Sequence, residues 1–211
     1  MNTTPPMGDE ARERAALRDA KRYLASYREG VLAFDGQQIP VKFVSDHTDG
    51  RLVISAPVAV FFAHEHVLWV PEETLDSMQL LVSAEEVSES GATDRWQAYH
   101  GDPEHVRWAA CWIDSVRLGA WVFDGDALAG ANPLAGVEPT VLREVNTDRD
   151  ALRRMCEAKL GMTVESPLCV GLVPEGLHVR ARFGVVLVAF DEPVETEEGV
   201  GGALAALKKR H

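Results

Sequence analysis

Two histidines, His64 and His66, carry the clearest chemical signal in this chain of 211 residues. They lie in the apolar stretch AHEHVLW, residues 63–69, and on a β-strand their spacing directs both imidazoles to one face. Such a pair can supply two metal ligands, and Glu72 or Glu73 can add a carboxylate, as in cupin-type sites. The glycine-spaced flanks and second histidine motif of a cupin are not evident. The competing interpretation is therefore a structural role, on the surface of a β-barrel or in a dimer interface.

The other histidines and the cysteines have no evident catalytic partner in the sequence. His100 and His105 lie in a polar stretch and are predicted to be solvated or capping residues, and His178 alternates with apolar residues and is predicted to point outward from a sheet. No G-x-S-x-G pattern occurs. The three cysteines have no C-x-x-C spacing, which predicts buried, reduced packing residues; they are Cys111, Cys156 and Cys169.

The composition is that of a globular protein with an acidic surface. Hydrophobic residues make up 46% of the chain, and 33 acidic against 21 basic residues give a net charge of -12. That charge disfavours nonspecific binding to nucleic acid or to an anionic membrane surface, because both require a basic field. No signal peptide or membrane-spanning run is evident, so we expect a soluble, cytoplasmic protein.

The elements that must position these residues fall into two groups. An amphipathic helix over residues 9–29 is followed, up to about residue 124, by short β-rich runs that predict an antiparallel barrel or sandwich. The run VAVFFAHEHVLWV is predicted as a strand and residues 93–110 as one helical interruption. The linker GANPLAGVEP, residues 130–139, precedes a helical segment, a hairpin around Pro174–Gly176, a third strand and a last amphipathic helix. The fold class predicted is α+β.

The C-terminal third resembles a known domain. VNTDRDALRRM and the segment from Cys169 to Arg210 are similar to the small α/β domain of uncharacterised function that follows an FMN-binding split barrel in haem-utilisation proteins of the pyridoxamine-phosphate-oxidase-like superfamily. RWQAYHGDPEHVRW and RLGAWVFDGDALAGANPL are similar to elements of that family's barrel. The matching positions of the C-terminal domain are Asn146, Asp148, Ala151, Leu152, Gly171, Gly176, Leu177 and the FDEPV turn.

The resemblance implies an architecture and a cofactor site. A leading helix and an antiparallel split β-barrel would occupy residues 1–136, and a small α/β domain with a short antiparallel sheet residues 137–211. The protein would be a homodimer with flavin or haem between the barrels. In this family, Ser/Thr and Lys/Arg residues after the strand RLVISAP hold the flavin phosphate, but PVAVFFAHEHVLWVPEE contains no Lys or Arg. The remaining phosphate contacts are Lys42, Arg51 and Ser55, and the candidate haem ligand is His211 or, alternatively, His64.

Three hypotheses remain open. The first is a pyridoxamine-phosphate-oxidase-like protein that binds haem or flavin at a dimer interface; if it is an enzyme, it is a haem- or flavin-dependent oxidoreductase. The second is a non-catalytic dimeric binding or scaffold module, with a degenerate cofactor site, that would bind a protein partner. The third is a cupin-like metal-dependent enzyme that uses His64 and His66.

Overall fold

The computed structural model describes residues 9–209, and these form a barrel followed by a smaller α/β unit. The helices are α1 (Asp9–Ser26), α2 (Gly91–His100), α3 (Glu138–Thr147), α4 (Arg149–Leu160) and α5 (Glu197–Lys209). The strands are β1 (Glu29–Phe34), β2 (Gln37–Ser45), β3 (Leu52–Ala56), β4 (His66–Val70), β5 (Met78–Val87), β6 (Arg107–Leu118), β7 (Trp121–Asp124), β8 (Leu168–Val173), β9 (Gly176–Ala181) and β10 (Gly184–Ala189). No helix in this range is long and apolar enough to cross a membrane.

Six strands close into an antiparallel barrel. Their order is β3-β2-β1-β4-β5-β6, and pairing of β3 with the first part of β6 closes the ring. Strand β7 pairs with the last part of β6. Alternate residues of β1 point inward, so that Leu32 and Phe34 are buried. All five residues of β3 are buried, because one face packs inside the barrel and the other lies under α2.

The second unit is a three-stranded antiparallel sheet, in the order β10-β9-β8, packed against α3, α4 and α5. Its core contains Leu152, Leu172, Leu177 and Leu204. Asp148 separates α3 from α4 and caps α4 by accepting a hydrogen bond from the backbone N of Ala151 at 2.9 Å. Together, the barrel and this unit confirm the predicted α+β fold class.

A third cluster of buried side chains joins the two units. Trp96 and Tyr99 of α2 pack with Trp108 of the barrel and with Val170 of β8. The segment between the units runs closely over Gly50, since a Cβ there would lie 2.6 Å from the backbone N of Gly130. The predicted domain boundary at residues 136 and 137 stays a prediction.

Three local predictions are wrong. Residues 58–62 form a 3-10 helix rather than the start of a long strand, and β4 begins only at His66. Helix α2 covers residues 91–100 rather than 93–110, because a capping box at Ser90 starts it and Gly101, at φ +83°, ends it. The first helix ends at Ser26 rather than at residue 29, which already belongs to β1.

Candidate functional site

A cavity of about 460 Å³ lies where α1, residues 128–133 and the β8–β9 turn meet. Helix α1 lines it with one face, because residues spaced three or four apart share a side of a helix. Leu17, Lys21 and Leu24 belong to this face, and Arg28 continues it just after the helix. We call this space the interdomain cavity.

Arg28 is the buried charge of the interdomain cavity, with 6% of the residue exposed. Its guanidinium folds back to the end of α1 and donates to the carbonyls of Leu24 at 3.5 Å and Ala25 at 3.4 Å. These contacts are long, although the negative end of the helix dipole favours a cation there. Within residues 9–209, no carboxylate lies within ion-pair distance of Arg28. Burial, followed by repulsion from Arg95, lowers the pKa of Arg28 to about 10, so the group stays charged at neutral pH.

His178, on β9, is 1% exposed and contacts Arg28 directly. Its Nε2 lies 2.9 Å from Nη2 of Arg28 and 2.8 Å from the carbonyl of Ala25, while its Nδ1 lies 3.1 Å from the hydroxyl of Tyr99. We assign the proton to Nε2, since this tautomer lets His178 donate to Ala25 and accept from Tyr99. Nη2 of Arg28 then faces an N–H group and finds no acceptor on this ring. Burial, with repulsion from Arg28, lowers the pKa of His178 well below its ordinary value, which keeps the ring neutral.

A second cation, Arg95 of α2, already has its own carboxylate. Nη1 of Arg95 lies 2.9 and 2.7 Å from the two carboxylate oxygens of Glu138, and Nη2 donates to Tyr99 at 2.6 Å. Glu138 is 7% exposed and also accepts from the backbone N of Leu172 at 2.7 Å. His47 lies 3.4 Å from the same carboxylate, and burial lowers the pKa of this histidine. Among the described residues, Glu138 therefore balances Arg95, and Arg28 has no carboxylate in direct contact.

Glu175, in the turn between β8 and β9, is a half-buried carboxylate that lines the interdomain cavity. Its turn is anchored, because the carbonyls of Glu175 and Pro174 accept hydrogen bonds from the backbone N of Phe190 at 2.9 Å and of Val194 at 2.8 Å. Burial raises the pKa of Glu175, whereas a hydrogen bond from its own backbone N and the nearby charges of Arg28, Lys21 and Arg22 lower it. Glu175 forms no ion pair with any residue in the part of the chain that the structure describes.

The structure brings together two of the three residues predicted to hold a flavin phosphate. Lys42 and Ser55 line a groove of about 510 Å³ on the barrel, which we call the barrel groove. The third, Arg51, lies elsewhere: it pairs with Asp49 at 2.7 Å and stacks on Trp112, with its Cζ 4.8 Å from the ring centroid.

The polar groups of the barrel groove do not fit the phosphate of FMN. The hydroxyl of Ser55 already donates to the carbonyl of His105 at 3.0 Å and accepts from its backbone N at 2.9 Å. Nζ of Lys42 lies 4.0 Å from a carboxylate oxygen of Glu104. Two further carboxylates, Glu29 and Glu72, line the same groove. A dianion requires several charge-assisted donors, and here it would meet three carboxylates and one paired cation.

The two histidines that suggested a metal have different surroundings. His64 is exposed at a bend before β4, whereas His66 is buried at the start of that strand, with its Nε2 2.8 Å from the carbonyl of Val60. The strand geometry expected for the pair is therefore absent. In residues 9–209 there is no group of three or more His, Cys, Asp or Glu side chains placed to hold a metal ion. His211, the candidate haem ligand, lies outside the described residues.

The sequence did not reveal the residues that form the interdomain cavity. The prediction that His178 points outward is wrong, because β9 is the central strand of its sheet and this face packs against the end of α1 and against α2. His100 is also less exposed than expected: its Nε2 lies 3.2 Å from the carbonyl of Phe43, and burial lowers its pKa to about 4. One signal was available for Arg28, which continues the apolar stripe of α1 four residues after Leu24.

Fold and site together define an α+β barrel protein with a cationic cavity between its two units. A solved structure with a similar fold is that of a protein of unknown function from Agrobacterium tumefaciens: the TM-score is 0.72 and the identity 16%, with 98% of this chain and 100% of that chain covered. No protein-family model matches the sequence. The comparison with curated proteins likewise gives no match. At this identity the likeness shows the fold alone, and membership of the pyridoxamine-phosphate-oxidase-like superfamily stays a prediction.

Proposed function

We propose that this protein binds a small organic anion in the interdomain cavity, with Arg28 as the group that holds the anionic end. The observation that carries the proposal is a buried guanidinium that lines a cavity of about 460 Å³ and has no carboxylate within ion-pair distance in residues 9–209. A buried charge is destabilising unless a partner compensates it. An anionic ligand would provide that partner through charge-assisted hydrogen bonds.

The rest of the lining supports an organic ligand rather than a bare inorganic ion. Apolar side chains from both units surround the charged end, among them Leu24, Leu128 and Val173. The volume is within the range of small-molecule sites, and the lining combines these apolar side chains with charged ones. The carboxylate would bind Arg28, and the hydrocarbon part would lie against these side chains.

Binding without covalent catalysis agrees with the state of the cysteines. All three are buried free thiols, and burial raises the pKa of Cys111 and Cys169 to about 12 and that of Cys156 to about 11. Since the thiolate is the reactive form, these residues are poor nucleophiles at neutral pH. This observation supports the binding-module hypothesis.

Calorimetric titration with linear monocarboxylates, from acetate to octanoate, tests the proposal. We expect hexanoate, the middle-sized probe, to bind the wild type and to bind Arg28→Gln at least 10-fold more weakly, because a hydrogen bond to a charged group is worth about 1.5–3 kcal/mol. Arg107→Gln is the matched control, since it removes the same charge from an exposed barrel residue paired with Glu86. Absence of binding by the whole series, or equal affinity for the wild type and Arg28→Gln, would refute the proposal.

Flavin or haem binding is the second candidate, and the shared position of Lys42 and Ser55 in the barrel groove favours it. The three carboxylates of that groove weigh against the flavin. Absorbance titration of the purified protein with FMN and with hemin separates the two candidates. A flavin or Soret shift that saturates at micromolar ligand and weakens in Lys42→Gln would support this second function, and unchanged spectra would remove it.

The homodimer implied by the family resemblance is also a proposal. Leu81, Trp112 and Val122, on neighbouring strands β5, β6 and β7, are large and exposed, which is a property of interfaces. Light scattering coupled to size exclusion should give the mass of two chains, and Trp112→Asp should give the mass of one. A monomeric wild type would exclude the dimer.

A further inference from the structure

We propose that the ligand of the interdomain cavity is zwitterionic: its carboxylate binds Arg28 and its ammonium group binds Glu175. This inference rests on the proposed function and adds a second recognition group to it. It names the ligand class as amino acids and related aminoalkanoates with an apolar body.

The first argument is that two opposite charges line one cavity without pairing. Arg28 and Glu175 both line the interdomain cavity, yet their charged atoms are not within the 4.0 Å of an ion pair. Neither group has another ion-pair partner in residues 9–209. Arg28 and Glu175 therefore attract each other only across more than the distance of an ion pair, and a zwitterion in the cavity would give each group a closer partner of opposite charge.

The second argument is that the guanidinium of Arg28 and the backbone of Glu175 are held in position before a ligand arrives. Arg28 is held at the end of α1 by its hydrogen bonds to the carbonyls of Leu24 and Ala25. The turn of Glu175 is tied to the chain at Phe190 and Val194 through backbone hydrogen bonds. Preorganised charges lose little freedom on binding, which favours affinity and fixes the orientation of the ligand.

The third argument concerns the other carboxylates of the cavity, which are less suited to this role. A carboxylate oxygen of Asp46 already accepts hydrogen bonds from the backbone N and the hydroxyl of Thr48, both at 2.8 Å. Glu195 is exposed at the rim, where water screens its charge. Glu175 is half-buried and has no such competing contact from a neighbouring side chain, so it is the group that an ammonium would meet inside the cavity.

The test compares ligands that differ only in the ammonium or only in the carboxylate. Calorimetry with 6-aminohexanoate, hexanoate and hexylamine, and with 4-aminobutanoate, butanoate and butylamine, covers two lengths. We expect at least one aminoalkanoate to bind about 10-fold tighter than both of its analogues, because it gains a second charged contact. Glu175→Gln should abolish this advantage and leave alkanoate binding unchanged or stronger. Glu195→Gln, the matched control at the rim, should preserve the advantage.

The outcomes separate this inference from the function on which it rests. If hexanoate and butanoate bind as tightly as their amino derivatives, or if Glu175→Gln leaves the preference intact, the zwitterion is refuted. An Arg28-dependent affinity for alkanoates would then still support the proposed anion site. If no member of the panel shows Arg28-dependent binding, both proposals fail. Thermal melting of each variant checks folding, and the Gln substitution keeps the size of the Glu175 side chain.

Discussion

Gly171→Ala should disrupt the polar network behind the interdomain cavity. A Cβ at this position of β8 would lie 1.6 Å from the hydroxyl oxygen of Tyr99 and 2.9 Å from Nη2 of Arg95. Because an ordinary contact is about 3.4–4 Å, Tyr99 would have to move by about 2 Å. The strain of overpacking costs about 1–3 kcal/mol. Loss of the Tyr99 contacts with His178 and Arg95 adds about 1 kcal/mol each.

We therefore expect Gly171→Ala to lower the free energy of unfolding by about 3–5 kcal/mol. Guanidinium denaturation followed by tryptophan fluorescence measures this, since Trp96 packs beside Tyr99. Tyr99→Phe removes the atom of the shortest clash, the hydroxyl oxygen, so the double variant should be about 1–2 kcal/mol more stable than the sum of the single effects predicts. Gly201→Ala is the matched control: it lies within α5, its Cβ would meet no atom within 4 Å, and it should stabilise by about 1 kcal/mol. A Gly171→Ala protein within about 0.5 kcal/mol of the wild type, or additive effects, would refute the reasoning.

Three further predictions concern pH and the junction of α3 with α4. In the unfolded chain His178 is protonated near its ordinary pKa, whereas in the folded chain it stays neutral. Because of this difference, a fall from pH 7 to pH 5 should lower the free energy of unfolding by up to about 2 kcal/mol through His178. Denaturation at both pH values should show that the free energy of unfolding falls less in His178→Gln than in the wild type, by that amount. An equal fall in the two proteins would contradict a neutral His178 in the folded chain. Asn146→Ala should destabilise by about 2–3 kcal/mol, because this side chain donates to the carbonyl and accepts from the backbone N of Cys169, both at 2.8 Å; a urea midpoint like that of the wild type would argue against it. Asp148→Ala should lower the free energy of unfolding by about 1 kcal/mol, because it removes the cap of α4. Asp150→Ala, two residues later and exposed, should lower it by less.

Much of the fold could be predicted from local patterns in the sequence. The density of short β-rich runs predicted an antiparallel barrel or sandwich, of which the structure shows the barrel, and turn residues around Gly176 predicted the β8–β9 hairpin. The 3-10 helix at residues 58–62 was missed, because a short apolar run does not by periodicity alone distinguish a strand from a helical turn. The end of α2 was misplaced, although Gly101 was a local signal for it.

The interdomain cavity depends on contacts that the sequence does not encode locally. Arg28 and His178 are 150 positions apart, and their meeting requires β9 to pack against the end of α1. Of the predicted phosphate contacts, Lys42 and Ser55 share a groove because β2 and β3 are paired neighbours. Arg51 lines neither the barrel groove nor the interdomain cavity, since Asp49 and Glu85 hold it on another part of the barrel.

A crystal structure of the protein grown with hexanoate tests the central claim most directly. The account predicts electron density for the ligand in the interdomain cavity, with a carboxylate oxygen about 3 Å from the guanidinium of Arg28 and the hydrocarbon chain against Leu24 and Leu128. Hexanoate bound only in the barrel groove, or a cavity that contains water alone at saturating hexanoate, would contradict it.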